Sequence, residues 1–222
     1  MTTNSAPDRE ILRFVRLGVA AITADVTILD DVLQSLPADE LISAKTRWGT
    51  NPPDVFAGHA RRDTAMPCYA VVMTSETNAG DYIGAGEEAF LDGDEVVGTD
   101  LHWWVKGNYT ILVYAEHPDI CAWYYRVLRA IMRAATRAFP SVGMDNPDLQ
   151  GSELVPDPRF TPASLYVRRL TVSIDFEELS GGPDGTGSAK LQAAISGDPE
   201  ARGTSVAVSH EAAGGGVAPF VL

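Results

Sequence analysis

The stretch NYTILVYAEHPDICAWYYRVLRAIMRAATRAF, Asn108 to Phe139, decides the fold class. Tyr109 to Tyr114 is a run of β-branched and aromatic residues that is apolar on both faces, the pattern of a strand buried on two sides. Glu116, His117, Pro118 and Asp119 then mark a helix start. Proline suits the first helical turn because its missing N–H is not needed there, and the acids suit the positive end of the helix dipole. From there Ile120, Tyr124, Val127, Leu128, Ile131, Ala135 and Ala138 fall at spacings of three and four, which makes one apolar face. Arg126, Arg129, Arg133 and Arg137 recur at the same spacing and make a second, positive stripe. A strand running straight into an amphipathic helix predicts an α+β protein.

That basic stripe stands in an acidic chain of formal net charge -13, which argues against general affinity for nucleic acid. Acidic walls repel DNA without forbidding its passage. With 222 residues the chain can bury one good-sized core. Cys68 and Cys121 are far apart and form no metal-like pair, so both are expected to be buried, reduced thiols. Met1 to Pro7 is short and polar, unlike a signal peptide, and no apolar run approaches the roughly 20 residues that span a bilayer. A soluble, intracellular protein is expected.

Upstream, Leu12, Val15, Val19, Ile22, Val26, Leu29, Leu33 and Leu36 alternate steps of three and four, predicting a long helix over 8–36. Gly18, Thr23 and Thr27 are its soft points. The repeat fits a coiled coil or packing on a sheet equally well. Asp39 to Thr46 is expected to add a short helix, and Trp48 to Ala65 reads as a loop with exposed Trp48 and Phe56, because Gly49, Pro52, Pro53 and Gly58 punctuate it. Pro67 to Glu76 reads as a strand. Thr77 to Gly107 is glycine-punctuated and acidic, with Asp92-Gly93-Asp94 as a hairpin turn and Gly107-Asn108 as a second turn. A short strand is expected near 149–154, and Leu165 to Leu179 is the clearest long strand.

The fold class expected is therefore α+β: a mainly antiparallel sheet packed by one or two helices, with a long N-terminal helix and a flexible C-terminal tail. Residues 1–180 would form one body, with the sheet and helix core at 67–179. Residues 181–222, rich in Gly, Ala and Ser, would be flexible or ordered by a partner.

Motifs for chemistry are weak. Gly84-Ala-Gly86-Glu-Glu-Ala89 matches the dinucleotide fingerprint in letters, but no hydrophobic strand precedes it, and Glu87 and Glu88 stand where a pyrophosphate needs N–H groups. The acids from Glu87 to Asp100 lack the ligand spacing of a calcium loop. His117-Pro118-Asp119 is also the tripeptide of J-domain co-chaperones, where it joins two helices. Here it follows a strand, which favours a helix cap. His59, His102, His117 and His210 show no paired metal spacing. Asp100, His102 and Glu116 are the first residues an enzyme would draw on, but the expectation is a non-enzyme with no catalytic, cofactor or metal site.

The arginine stripe has two readings, a solvated helix face or an interface, where arginine is favoured because its planar fork pairs carboxylates bidentately. Acids for such pairing stand in the same chain at Glu87, Glu88, Asp92, Asp94 and Glu95. Identical copies in a ring would set one copy's acidic hairpin against the next copy's helix, a heterologous, closing contact.

The order of parts resembles the tail-terminator or tail-completion proteins of the neck in long-tailed bacteriophages. The resemblance rests on the helical start, the hairpin-bearing sheet, the unit YTILVYAEHPD at 109–119 and the late strand LYVRRLTVSID at 165–175, and covers Pro67 to Leu179. It implies a small α/β domain whose copies, six in that family, close into a ring. The ring caps the tail tube, joins it to the head connector and leaves a channel through which DNA passes without specific binding. It implies a virion protein assembled in the host cytoplasm, with Arg126, Arg129, Arg133 and Arg137 at subunit or partner contacts and the acidic hairpin lining the channel or meeting the tube. Alternatives are another head–tail adaptor or minor tail protein, or a small enzyme or ligand-binding domain.

Overall fold

A computed structural model describes residues 6–61, 63–78, 86–92, 95–154 and 165–180, with 78, 86–92, 95–103, 154 and 178–180 as backbone alone. Helix α1 (Pro7–Ala24) starts as its sequence requires, with proline in its first turn and Asp8 and Glu10 beside it. It buries Ile11, Val15 and Ile22. The expected single helix over 8–36 is interrupted. Asp25 Oδ1 accepts both the Thr27 N–H (3.0 Å) and the Thr27 hydroxyl (2.6 Å), and a side chain that bonds its own neighbouring backbone competes with the helical ladder. The break falls between two of the soft points, Thr23 and Thr27. Helix α2 (Ile28–Val32) follows, and the apolar repeat keeps its function across the break, since Leu29 and Leu33 are each buried.

Helix α3 runs Ala38–Thr50, four residues beyond its expected end. Trp48 is therefore not on an exposed loop. It lies in α3, 1% exposed, stacked on Tyr124 at 5.0 Å between ring centroids, with its indole N–H donating to Thr23 Oγ1 at 3.2 Å. Leu41, Ala44 and Trp48 follow helical spacing, and Gly49 at the solvent side does not interrupt it. Phe56 sits half-buried in strand β1 (Asp54–Ala57).

The remaining elements are β2 (Cys68–Asn78), β3 (Gly86–Asp92), β4 (Glu95–Ala115), α4 (Pro118–Ala135), a 3-10 turn (Phe139–Val142), β5 (Met144–Leu154) and β6 (Tyr166–Ser180). They form a six-stranded sheet in the order β1-β2-β4-β6-β5, with β3 paired to β4. β1 runs parallel to β2, whereas β2–β4 and β5–β6 are antiparallel. The architecture is α+β. The expected turn at Gly107-Asn108 is absent: β4 passes straight through, with Gly107 opposite Glu76 and Asn108 opposite Ser75. Glycine is needed there because a Cβ would press on the Tyr109 ring and on Phe176. The requirement is a close approach of side chains and not a reversal of the chain.

The residues divide into two compact units, the first comprising residues to Gly86 and Leu101–Leu179, the second Glu87–Asp100 with the chain from Ser180. In the first unit the strands place alternate residues on two faces. Tyr69, Val71, Tyr109, Ile111, Val113, Leu170, Val172 and Ile174 join the buried faces of all four helices in one core. Cys68, Ala70, Leu112, Tyr114 and Val167 make a smaller cluster on the other face, against Phe56, Ala60 and Met66. No helix among the described residues is long and apolar enough to cross a membrane. Residues 181–222, expected as a flexible tail, lie outside the described residues.

Candidate subunit-contact surface

Helix α4 presents the surface. Its start is fixed by His117, whose Nδ1 accepts the Asp119 N–H at 3.3 Å, and by Pro118 in the first turn. The tripeptide is thus a helix cap. One face buries Cys121, Tyr124, Val127, Leu128, Ile131, Met132 and Ala135. Tyr69 reaches it from β2 and donates its hydroxyl to the Tyr124 carbonyl at 2.8 Å, while Tyr124 donates to the Asn51 carbonyl at 2.9 Å. These buried bonds lock the roll of α4, and so the direction of its outer face.

On that outer face Arg126, Arg129 and Arg133 are exposed; the helix ends at Ala135, short of the expected run to Phe139, so Arg137, also exposed, lies in the turn after it. Arg126 donates from Nη1 to Ser35 Oγ at 3.1 Å, which ties it to the chain after α2. The side chains of Arg129, Arg133 and Arg137 make no hydrogen bond or ion pair among the described residues. The three helical cations Arg126, Arg129 and Arg133, at i, i+3 and i+4 spacing, repel one another by a few tenths of a kcal/mol per pair (about 0.2–0.5). The face is therefore slightly costly alone and gains from an acidic partner. The side chains of Glu87, Glu88, Asp92 and Glu95, and all of Asp94, lie outside the described residues.

The helix also borders a hollow that spacing alone did not reveal. Between α1, α2 and α4 is an apolar space of about 390 Å³, lined by Phe14, Ile22, Ile28, Val32, Ala130 and Ala134 among others. Ala130, Ala134 and Ala138 recur every fourth residue beside the arginines, which was the one available signal. Its meaning depended on where α1 and α2 would lie. A shallower hollow of about 570 Å³ lies between α1 and the Pro52–Val55 segment, where Arg16 donates to the Val55 carbonyl at 3.1 Å.

The other polar candidates disperse. Glu116 and His59 are exposed, and the side chains of Asp100 and His102 lie outside the described residues. No group of three metal-ligating side chains occurs among the described residues. Both cysteines are free and buried. Burial pushes the Cys68 thiol up to about 12 and the Cys121 thiol up to about 11, so neither is a ready nucleophile at neutral pH. Comparison of the sequence with family models and with curated proteins finds no match.

Proposed function

We propose that the chain is a structural subunit of a bacteriophage neck, a tail terminator whose copies close into a ring, six in number, that caps the tail tube and joins it to the head connector. The observation that carries this reading is the arginine stripe of α4 and the turn after it: Arg129 and Arg133 on the helix and Arg137 just past it stand exposed and uncompensated in a chain of net charge -13. A stripe of one sign, held at fixed roll by buried tyrosine bonds, is a surface for carboxylates. A ring of acidic subunits would let DNA slide through its channel, since it offers no excess of cations to hold phosphate. The protein would act within the virion after assembly in the host cytoplasm, without cofactor or turnover.

The test is the mass of the full chain by light scattering, alone and with tail-tube protein, and its position in particle images. A closed oligomer weakened by Arg129→Glu or Arg133→Glu and by raised salt is expected, because exposed charge pairs are screened beyond about 10 Å at 0.1 M ionic strength. A chain that stays monomeric with every tail and head partner overturns the reading.

A further inference from the structure

We propose that the apolar hollow between α1, α2 and α4 receives the α2–α3 corner of a second copy of this chain, with Ile42 as the inserted side chain and Asp39 paired to Arg133 on the rim. The proposal rests on the ring reading above and names the contact that would close it.

The hollow excludes most other occupants by its chemistry. Every residue lining its 390 Å³ is apolar or glycine, so it holds no group that would orient a polar small molecule. Its rim is strongly basic on the α4 side. Arg133 lies three residues after Ala130 on the helix surface, and Arg137 lies in the turn just past the helix, next to Ala138 of the lining. Neither has a partner among the described residues, so both are available to carboxylates. The site therefore asks for an apolar side chain with carboxylates close beside it.

The α2–α3 corner supplies that pattern. Ile42 is 65% exposed, the most exposed large apolar side chain among those described. Asp39 stands one helical turn before it and is exposed, and Asp30, Asp31 and Glu40 are further exposed acids of α2 and α3. The nearby cation, Lys45, is already engaged by Asp30 at 2.9 Å through both carboxylate oxygens. Asp39 thus stands one turn from Ile42 with no ion pair among the described residues, and Arg129 and Arg133 on α4 have none either. The two patches also turn away from each other on α2: Ile28 and Val32 line the hollow, whereas Asp30 faces α3 through Lys45. One copy can therefore give its corner to one neighbour while its hollow takes the corner of the other, a heterologous contact of the kind that closes rings.

The experiment uses the full chain and measures self-association by light scattering and sedimentation, with thermal midpoint as the control for folding. Ile42 and Ala134 are both exposed, so Ile42→Asp and Ala134→Trp should leave the midpoint unchanged. Each is expected to weaken association at least tenfold, the first by removing the inserted side chain and the second by filling the hollow. Arg133→Glu and Asp39→Lys should each weaken it as well, and the double variant should recover most of the loss. Assembly that survives Ile42→Asp and Ala134→Trp overturns this contact but leaves the ring reading standing. Loss in both single charge variants without recovery in the double overturns the pairing of Asp39 with Arg133 and, with it, the corner as occupant. A full chain that never associates, alone or with tail-tube protein, overturns both.

Discussion

Cys68, Cys121, Tyr69 and Tyr124 are the ionisable groups most altered by folding, and burial is the leading cause in each. Cys68 rises from 9.0 to about 12, with the nearby Asp54 carboxylate adding to desolvation. Cys121 rises to about 11 although Arg168 opposes the shift, and Tyr124 rises from 10.0 to about 12 although Arg47 opposes it. The folded chain thus holds protons that the unfolded chain would release above pH 9, and stability falls wherever the native state binds more protons. The stabilisation is complete below pH 9 and is lost as pH rises toward 11 and 12. Urea midpoints should be level from pH 7 to 9 and decline above it. Cys68→Ala should lower the plateau by about 1 kcal/mol through the lost packing and make the decline shallower. An unchanged slope in that variant would show that the thiol is not carried neutral into the core. The two cysteines were readable as buried and reduced from their isolation in the sequence. The tyrosine bonds were not, because they join residues up to 73 positions apart.

Helix α1 crosses α4 at a single close point, Gly18 against Ile131. A Cβ on Gly18 would press on Ile131 Cγ2 and stand 2.7 Å from Cγ1 and 2.9 Å from Cδ1, closer than real Cβ atoms approach their neighbours. Ile131 is 8% exposed, and although it borders the hollow its β-branched side chain is stiff at χ1, so withdrawal needs a change of rotamer. Alanine for glycine within a helix gains up to about 1 kcal/mol of propensity, whereas overpacking costs about 1–3 kcal/mol. The clash should win. Gly18→Ala is expected to lower the thermal midpoint, and adding Ile131→Val should recover part of the loss, a coupling that a double-mutant cycle reads directly. If Gly18→Ala raises the midpoint, the helices are not held at this distance. The same glycine shows what the sequence conveys at this scale. Its low helix propensity was legible as a soft point, but the chain breaks later, at Asp25, where a side chain bonds Thr27. Elements whose periodicity runs without glycine or proline, α4 and β6, were read close to their true bounds. Trp48 and Gly107-Asn108 were misread for the opposite reason: nearby breakers outweighed an apolar spacing and a strand pairing that only the folded neighbours reveal.

The molecule as a whole commits its apolar surface early. Every buried apolar side chain among the described residues lies between Ile11 and Phe176. The two features of the candidate interface do as well: the arginine face and hollow involve α1, α2 and α4, and the acidic corner lies in α2 and α3. The arginine stripe was visible in spacing because all of it but Arg137 belongs to one helix, while the hollow needed three helices to be placed. From this distribution follows a prediction about the whole chain. Truncation after Ser180 removes the Gly-, Ala- and Ser-rich residues 181–222, whose composition is poor in large apolar side chains. Substitutions away from buried features usually change stability by no more than about 0.5 kcal/mol, so the shortened chain should unfold cooperatively near the midpoint of the full chain. Because the hollow and the corner both remain, it should also retain self-association. Circular dichroism and light scattering on the same sample separate the outcomes. A truncated chain that fails to fold would show that residues past Ser180 complete the core. One that folds but no longer associates would move the ring-closing contact from the helices to the C-terminal segment.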